Sequence, residues 1–151
     1  MQALTGDAGA RQTLDDVLRR SPLLIDDPTL AAQLAALTEA CALTDREVPE
    51  AVTDALEPFA GQLLVLSWGA DVLGAADRFL AVAAARSGDR AAAAAGFDRA
   101  AELETRVSVA LPLRTRVWRH AMLGDVPPPE MPPALAGLAV EADVVRAIVG
   151  G

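Results

Sequence analysis

The sequence predicts an all-α chain of about six or seven helices arranged as antiparallel hairpins, and three observations carry that expectation. Residues Ala75 to Thr105 contain two helix-length segments joined by Ser87-Gly88-Asp89, both poor in everything except Ala, Leu, Val, Phe, Arg and acid. Hydrophobic residues make up 52% of the chain but aromatic residues only 3%, so the core must be Ala, Leu and Val packed at short range. Such small-residue cores suit helices lying close together, whereas sheets favour β-branched and aromatic side chains. The third observation is apolar spacing of three and four residues in successive segments. At 151 residues the chain is one domain's worth and can bury a real core.

Residues 1–12, with Gly6 and Gly9, read as a flexible terminus, and 13–126 as the helical domain. A short helix is expected from Thr13 to Arg20, with Leu14, Val17 and Leu18 on one face, stopped by Ser21-Pro22. From Thr29 to Leu43, the residues Leu30, Leu34, Leu37 and Cys41 make one stripe. After the turn at Thr44-Asp45 a second helix is expected from Val48 to Leu56, with Pro49 tolerated in its first turn and Pro58 ending it. Residues Ala60 to Gly74, with Gly61, Gly69 and the apolar run Leu63 to Leu66, read as a buried connector, extended in part.

In the hairpin Ala75 to Thr105, small residues stand where the helices must approach: Ala81 and Ala84 on the first, Ala93 and Ala100 on the second, with Phe97 on the same face. A further helix-length segment, Pro112 to Leu123, ends in Gly124-Asp125, a second copy of the Gly88-Asp89 turn signal. Residues 127–133 form a stiff Pro-rich spacer. Residues 134–151 hold a last helix, with Leu135, Leu138, Ala142, Val145 and Val149 at intervals of three and four. It is expected to pack as a cap beside Pro112 to Leu123; exchange between two copies, giving a homodimer, is the alternative. Expected core residues are Leu34, Leu37, Cys41, Leu56, Leu80, Ala84, Ala93, Phe97 and Leu103.

A net charge of -8 and a pI near 4.5 argue against direct nucleic-acid binding, which needs a basic footprint. No apolar stretch approaches the about 18 uninterrupted residues of a membrane span. The single cysteine, Cys41, excludes an internal disulfide, and Met1 to Ala10 lacks the basic start and apolar run of a secretion signal, so a cytoplasmic setting is expected. All 13 basic residues are arginine and asparagine is absent, a usage that points to a high-GC genome.

Aligned on its turn, the hairpin resembles a tetratricopeptide repeat: Leu80-Ala81 in the first helix, Gly88-Asp89 at the turn, and Ala93, Phe97 and Ala100 in the second, within a repeat of about 34 residues. It departs from that pattern at Asp77, where a large aromatic is usual, at Ala84, which replaces a common tyrosine, and at Thr105, which replaces a helix-ending proline. The wider stretch from Leu30 to Leu123 is similar to the helical-repeat region of large actinobacterial regulators, namely ATP-binding transcriptional regulators of the LuxR type and adenylate-cyclase-like signalling ATPases. Pro58-Phe59-Ala60-Gly61, Asp77-Arg78-Phe79-Leu80 and the arginines Arg114, Arg116 and Arg119 carry the likeness. It implies a regulatory repeat scaffold without catalytic residues of its own. The regulators' Gly-rich phosphate loop needs a lysine that this chain lacks, and no DNA-reading helix-turn-helix module is recognisable in it.

Candidate chemistry is sparse. His120 is the only histidine, so a two-histidine metal site is impossible, and no metal or cofactor is expected. A Cys41–His120 dyad is outweighed by packing, because Cys41 lies on the apolar stripe of a helix, where an inert thiol is expected. Arg114, Arg116 and Arg119 read as a solvated face with Trp118 turned inward rather than as a phosphate site. The acidic pairs Asp15-Asp16, Asp26-Asp27 and Glu102/Glu104 read as caps or solubilising groups. Trp68 reads as a plug between hairpins.

The expected function is a non-enzymatic module that binds a protein or peptide in a groove, with Arg78, Arg86, Arg116 and Trp68 as candidate contacts. A small-molecule site between helices is the rival, and a small enzyme using His120 comes third. A closed apolar cavity holding His120 and a carboxylate favours either rival; an open groove favours a partner.

Overall fold

The stripe Leu30, Leu34 and Cys41 forms the buried face of helix α1 (Leu30–Leu43), with Leu37 half-buried at its edge. In this computed structural model, residues 29–66 and 71–135 are described, together with the isolated positions 12, 137, 143, 145 and 147. The expected helix Thr13 to Arg20, the residue Trp68 and most of 134–151 lie outside the described residues. Helix α2 (Glu50–Leu56) starts just after Pro49, whose fixed φ suits the entry to a helix, and turns Val52 and Leu56 inward. A short 3-10 turn (Glu57–Phe59) follows.

The chain is mostly helical but not purely α. The connector folds on itself as strands β1 (Leu63–Leu66) and β2 (Asp71–Ala75), an antiparallel pair. A run of four apolar residues is too short for a stable helix, and its backbone polar groups need partners once Leu64 is buried. Pairing with a neighbouring extended segment supplies them. The register places Leu64 opposite Gly74 but Val65 opposite Val72, a bulge that leaves Leu73 unmatched.

Helix α3 (Ala76–Arg86), the turn at Gly88, and helix α4 (Arg90–Thr105) form the expected hairpin. Gly88 adopts φ 88°, which an L side chain rarely does, and the Asp89 carboxylate caps α4 by accepting from the Ala92 amide at 2.9 Å. Helix α5 (Leu111–Leu123) carries Pro112 in its first turn and ends at Gly124, φ 64°. Among the described residues these are the five α-helices.

Helix α3 lies between two apolar clusters. Ala76 and Phe79 join Leu30, Leu34, Val52, Leu56 and Leu64 on one side. Ala81 and Val82 join Ala93, Phe97, Val117, Trp118 and Val145 on the other. The helix is therefore buried almost all round, Asp77 and Arg78 included. Of the expected core, Leu34, Cys41, Leu56, Ala93 and Phe97 are buried, whereas Leu37, Leu80, Ala84 and Leu103 are half-buried. The displacement at Leu103 has a simple cause: the stripe Ala93, Phe97, Ala100 continues at four, three and four to Glu104, which is 0% exposed.

Candidate functional site

Two polar constellations flank α3, and the first is internal. Arg78, 0% exposed, donates from Nη2 to the Leu73 carbonyl at 2.6 Å, the carbonyl of the bulged residue, and lies 3.4 Å from Glu39 Oε1. Its guanidinium stacks 4.5 Å from the Phe79 ring centre and stands 3.9 Å from Glu104 Oε1. Glu104 accepts from the Ala75 amide at 2.9 Å and from the Thr115 hydroxyl at 2.6 Å. One carboxylate thus ties α4 to β2 and α5. Burial pushes the Glu104 carboxyl above its ordinary value, against the pull of Thr115, the Ala75 amide, Arg78 and Arg114. Gly74 lets the backbone pass close by, since a Cβ there would stand 2.7 Å from Glu104 Oε1.

This corrects two expectations. Arg78 faces the interior, so it does not line an accessible groove. Glu104 is no surface-solubilising acid, although Glu102 is: it is exposed and pairs with Arg106 at 2.7 Å. On the opposite side of α3, Asp77 accepts from the Gly61 amide at 2.7 Å and from Arg99 Nε at 2.8 Å. These are tie-points between elements.

The second constellation is a groove of about 800 Å³ between α2, α3 and α4. Val52 and Leu56 turn one side of α2 into the core, which directs Glu50 and Asp54 outward, followed by Glu57, with Glu47 just before the helix. Those four acids line the groove together with Thr53. Its floor is Leu80, Ala81 and Ala84 of α3 and Ala92 and Gly96 of α4; all of these but Leu80 are small, and Val48 and Pro49 also line the groove. Arg99, paired with Asp77, also lines it.

The remaining expected residues stand elsewhere. Arg86 is paired with Asp45 at 2.7 Å and donates to the Arg46 carbonyl at 3.1 Å. Arg116 is exposed on α5, Arg114 lies 3.6 Å from Glu39, and Arg119 is clamped by Asp98 and Asp125. Trp118 is turned inward, 1% exposed. Of the α5 arginines, Arg114 and Arg119 are thus bound up with carboxylates and Arg116 is exposed. His120 Nδ1 lies 2.8 Å from the Val126 carbonyl, and Cys41 is 0% exposed with its thiol pushed up by burial. Neither lines the groove.

Among the described residues no group of three His, Cys, Asp or Glu is placed to hold a metal ion, and no helix is long and apolar enough to cross a membrane. No family model, no curated protein and no solved structure matches the chain. The groove wall of Glu47, Glu50, Asp54 and Glu57 was missed in the sequence. Its signal was the spacing of Glu50, Asp54 and Glu57, one face of a helix, opposite the apolar Val52 and Leu56.

Proposed function

We propose that this chain is a non-catalytic interaction module, regulatory in role, that seats a segment of a partner protein in the groove between α2, α3 and α4. The observation that carries the reading is the character of the groove: carboxylates and mostly small side chains line it, together with Leu80, Val48, Pro49 and Arg99, and it contains neither His120 nor Cys41. Its volume falls in the range of about 300–1,000 Å³ typical of small-molecule clefts. Such clefts, however, are mainly apolar and aromatic with few polar groups, and this one has no aromatic wall. The α3–α4 hairpin, with its Gly88-Asp89 turn and Ala and Phe97 contacts, is taken as a tetratricopeptide-like unit of the kind found in the regulators the sequence resembles.

A photo-crosslinking side chain at Ala92, in the groove, tests the reading when compared with one at Arg116 on α5. Crosslinks to a protein from Ala92 and not from Arg116 are expected in the native host. Crosslinks from Arg116 alone reject the groove as the binding face.

A further inference from the structure

We infer that the groove's occupant is a basic helical segment, with arginine or lysine side chains one turn apart and small residues on the adjoining face. This rests on the groove reading above and gives its partner a chemistry. Glu50 and Asp54 on α2 and Glu57 just past its end recur at four and three residues, a spacing that puts them on one helical face with Cβ atoms about 5–6 Å apart. None of them, nor Glu47, makes an ion pair among the described residues, whereas Asp45, Asp77, Asp98, Glu102 and Asp125 all do.

Helix stability does not account for this wall. Glu50 sits in the first turn of α2, where the helix dipole favours an acid. Asp54 and Glu57 sit at the other end, where it disfavours one, and like charges one turn apart repel. Asp54 and Glu57 are placed against the preference of α2, Glu50 is not, and all three face a trough. A cation from outside relieves both costs. An acidic peptide or a phosphate would add to them, and the Arg99 guanidinium is already held by Asp77.

The floor selects shape. Apart from Leu80, the floor residues Ala81, Ala84, Ala92 and Gly96 offer no side chain longer than a methyl, so a rod with small residues on its contact face can lie close to the helices beside Leu80. A helix laid beside α2 presents side chains at the same one-turn interval as the acids. An extended chain, with same-face side chains about 6.6–6.8 Å apart, falls out of step.

The chain as a whole carries a charge of -8, so any basic peptide will be attracted to it, and the test must separate the wall from the total. The probe is a synthetic helical peptide with arginines at i, i+4 and i+7 and alanines on the adjoining face, followed by fluorescence anisotropy on the full chain. Neutralising the wall (E50Q, D54N and E57Q together) is expected to weaken binding about tenfold at low salt, and filling the trough by A92W to abolish it. Neutralising three acids elsewhere (D71N, E102Q and E130Q) is expected to change it by about twofold or less, although the charge removed is equal. Thermal unfolding checks that each variant is folded; the wall variant should be no less stable than the parent. Equal losses from the two triple variants, or equal binding of a glutamate-for-arginine peptide, overturn the inference. A protein that crosslinks through Ala92 yet is indifferent to the wall variant also overturns it, while leaving the groove as the binding face.

Discussion

Gly96 faces Ala81 across the α3–α4 contact with no room for another methyl: a Cβ on Gly96 would stand 2.9 Å from the Ala81 Cβ and 3.3 Å from its Cα. Both partners belong to helices packed on several sides, so neither can give way cheaply. Helix propensity alone would make alanine better than glycine here by up to about 1 kcal/mol. Overpacking costs about 1–3 kcal/mol and wins. Gly96→Ala is therefore expected to lower the unfolding free energy by about 1 kcal/mol, and Gly96→Val by more, in denaturant titrations. A raised melting temperature for Gly96→Ala would mean that the helices do not touch at this point.

Phe97 and Leu103 separate the two faces of α4. Phe97 is 1% exposed and packs in the cluster of Val82, Val117 and Trp118, whereas Leu103 is half-buried. Phe97→Ala should cost about 3–5 kcal/mol. Leu103→Ala should cost well under half of that. Equal costs in chemical unfolding would contradict a buried stripe that runs through Phe97 to Glu104 and leaves Leu103 at its edge.

Glu104 joins three elements, and truncating it leaves the Ala75 amide and the Thr115 hydroxyl without their carboxylate and removes one of the two carboxylates near Arg78. Glu104→Ala is expected to cost about 3–5 kcal/mol, as for one partner removed from a buried pair. Glu104→Gln keeps one carbonyl for Ala75 and can donate to the Thr115 hydroxyl, so it should cost less. If the two variants unfold at the same denaturant concentration, the carboxyl's hydrogen bonds contribute nothing.

The same residue sets a pH dependence. Its carboxyl, facing Arg78 from α3 and Arg114 from α5, with Glu39 beside those arginines, is held by burial above the ordinary value of 4.5. Between 4.5 and that raised value the folded chain binds more protons here than the unfolded chain. The contribution to stability is thus full below 4.5 and is lost as pH rises through the folded-state value. Measured against Glu104→Gln, the parent should lose ground in that direction. A constant difference, or one of opposite sign, would show that the arginines outweigh burial.

Cys41, with its thiol pushed up by burial ahead of the opposing pull of Arg46 and Arg86, should react with a disulfide reagent only as fast as the chain opens. Denaturant should accelerate labelling by orders of magnitude. Rapid labelling of the folded chain would place the thiol at the surface.

What the residues determine by themselves is local. The stripe Leu30, Leu34, Cys41, the Gly88-Asp89 turn and the stop at Gly124 were legible because helix periodicity and left-handed φ depend on near neighbours alone. Even the burial of Glu104 was written in the series Ala93, Phe97, Ala100, Glu104, although its charge argued the other way. The pairing of β1 with β2 was not legible, since a run such as Leu63 to Leu66 has no preferred state until a neighbouring strand fixes its hydrogen bonds. Nor was the interior place of Arg78, because a guanidinium is buried only where Leu73, Glu39 and Phe79 converge on it, and Glu39 comes from α1, far along the chain. The groove belongs to the same class. Its acids lie on α2 and at its two ends and its floor on α3 and α4, and only tertiary packing, which sums many contacts between distant segments, sets one against the other.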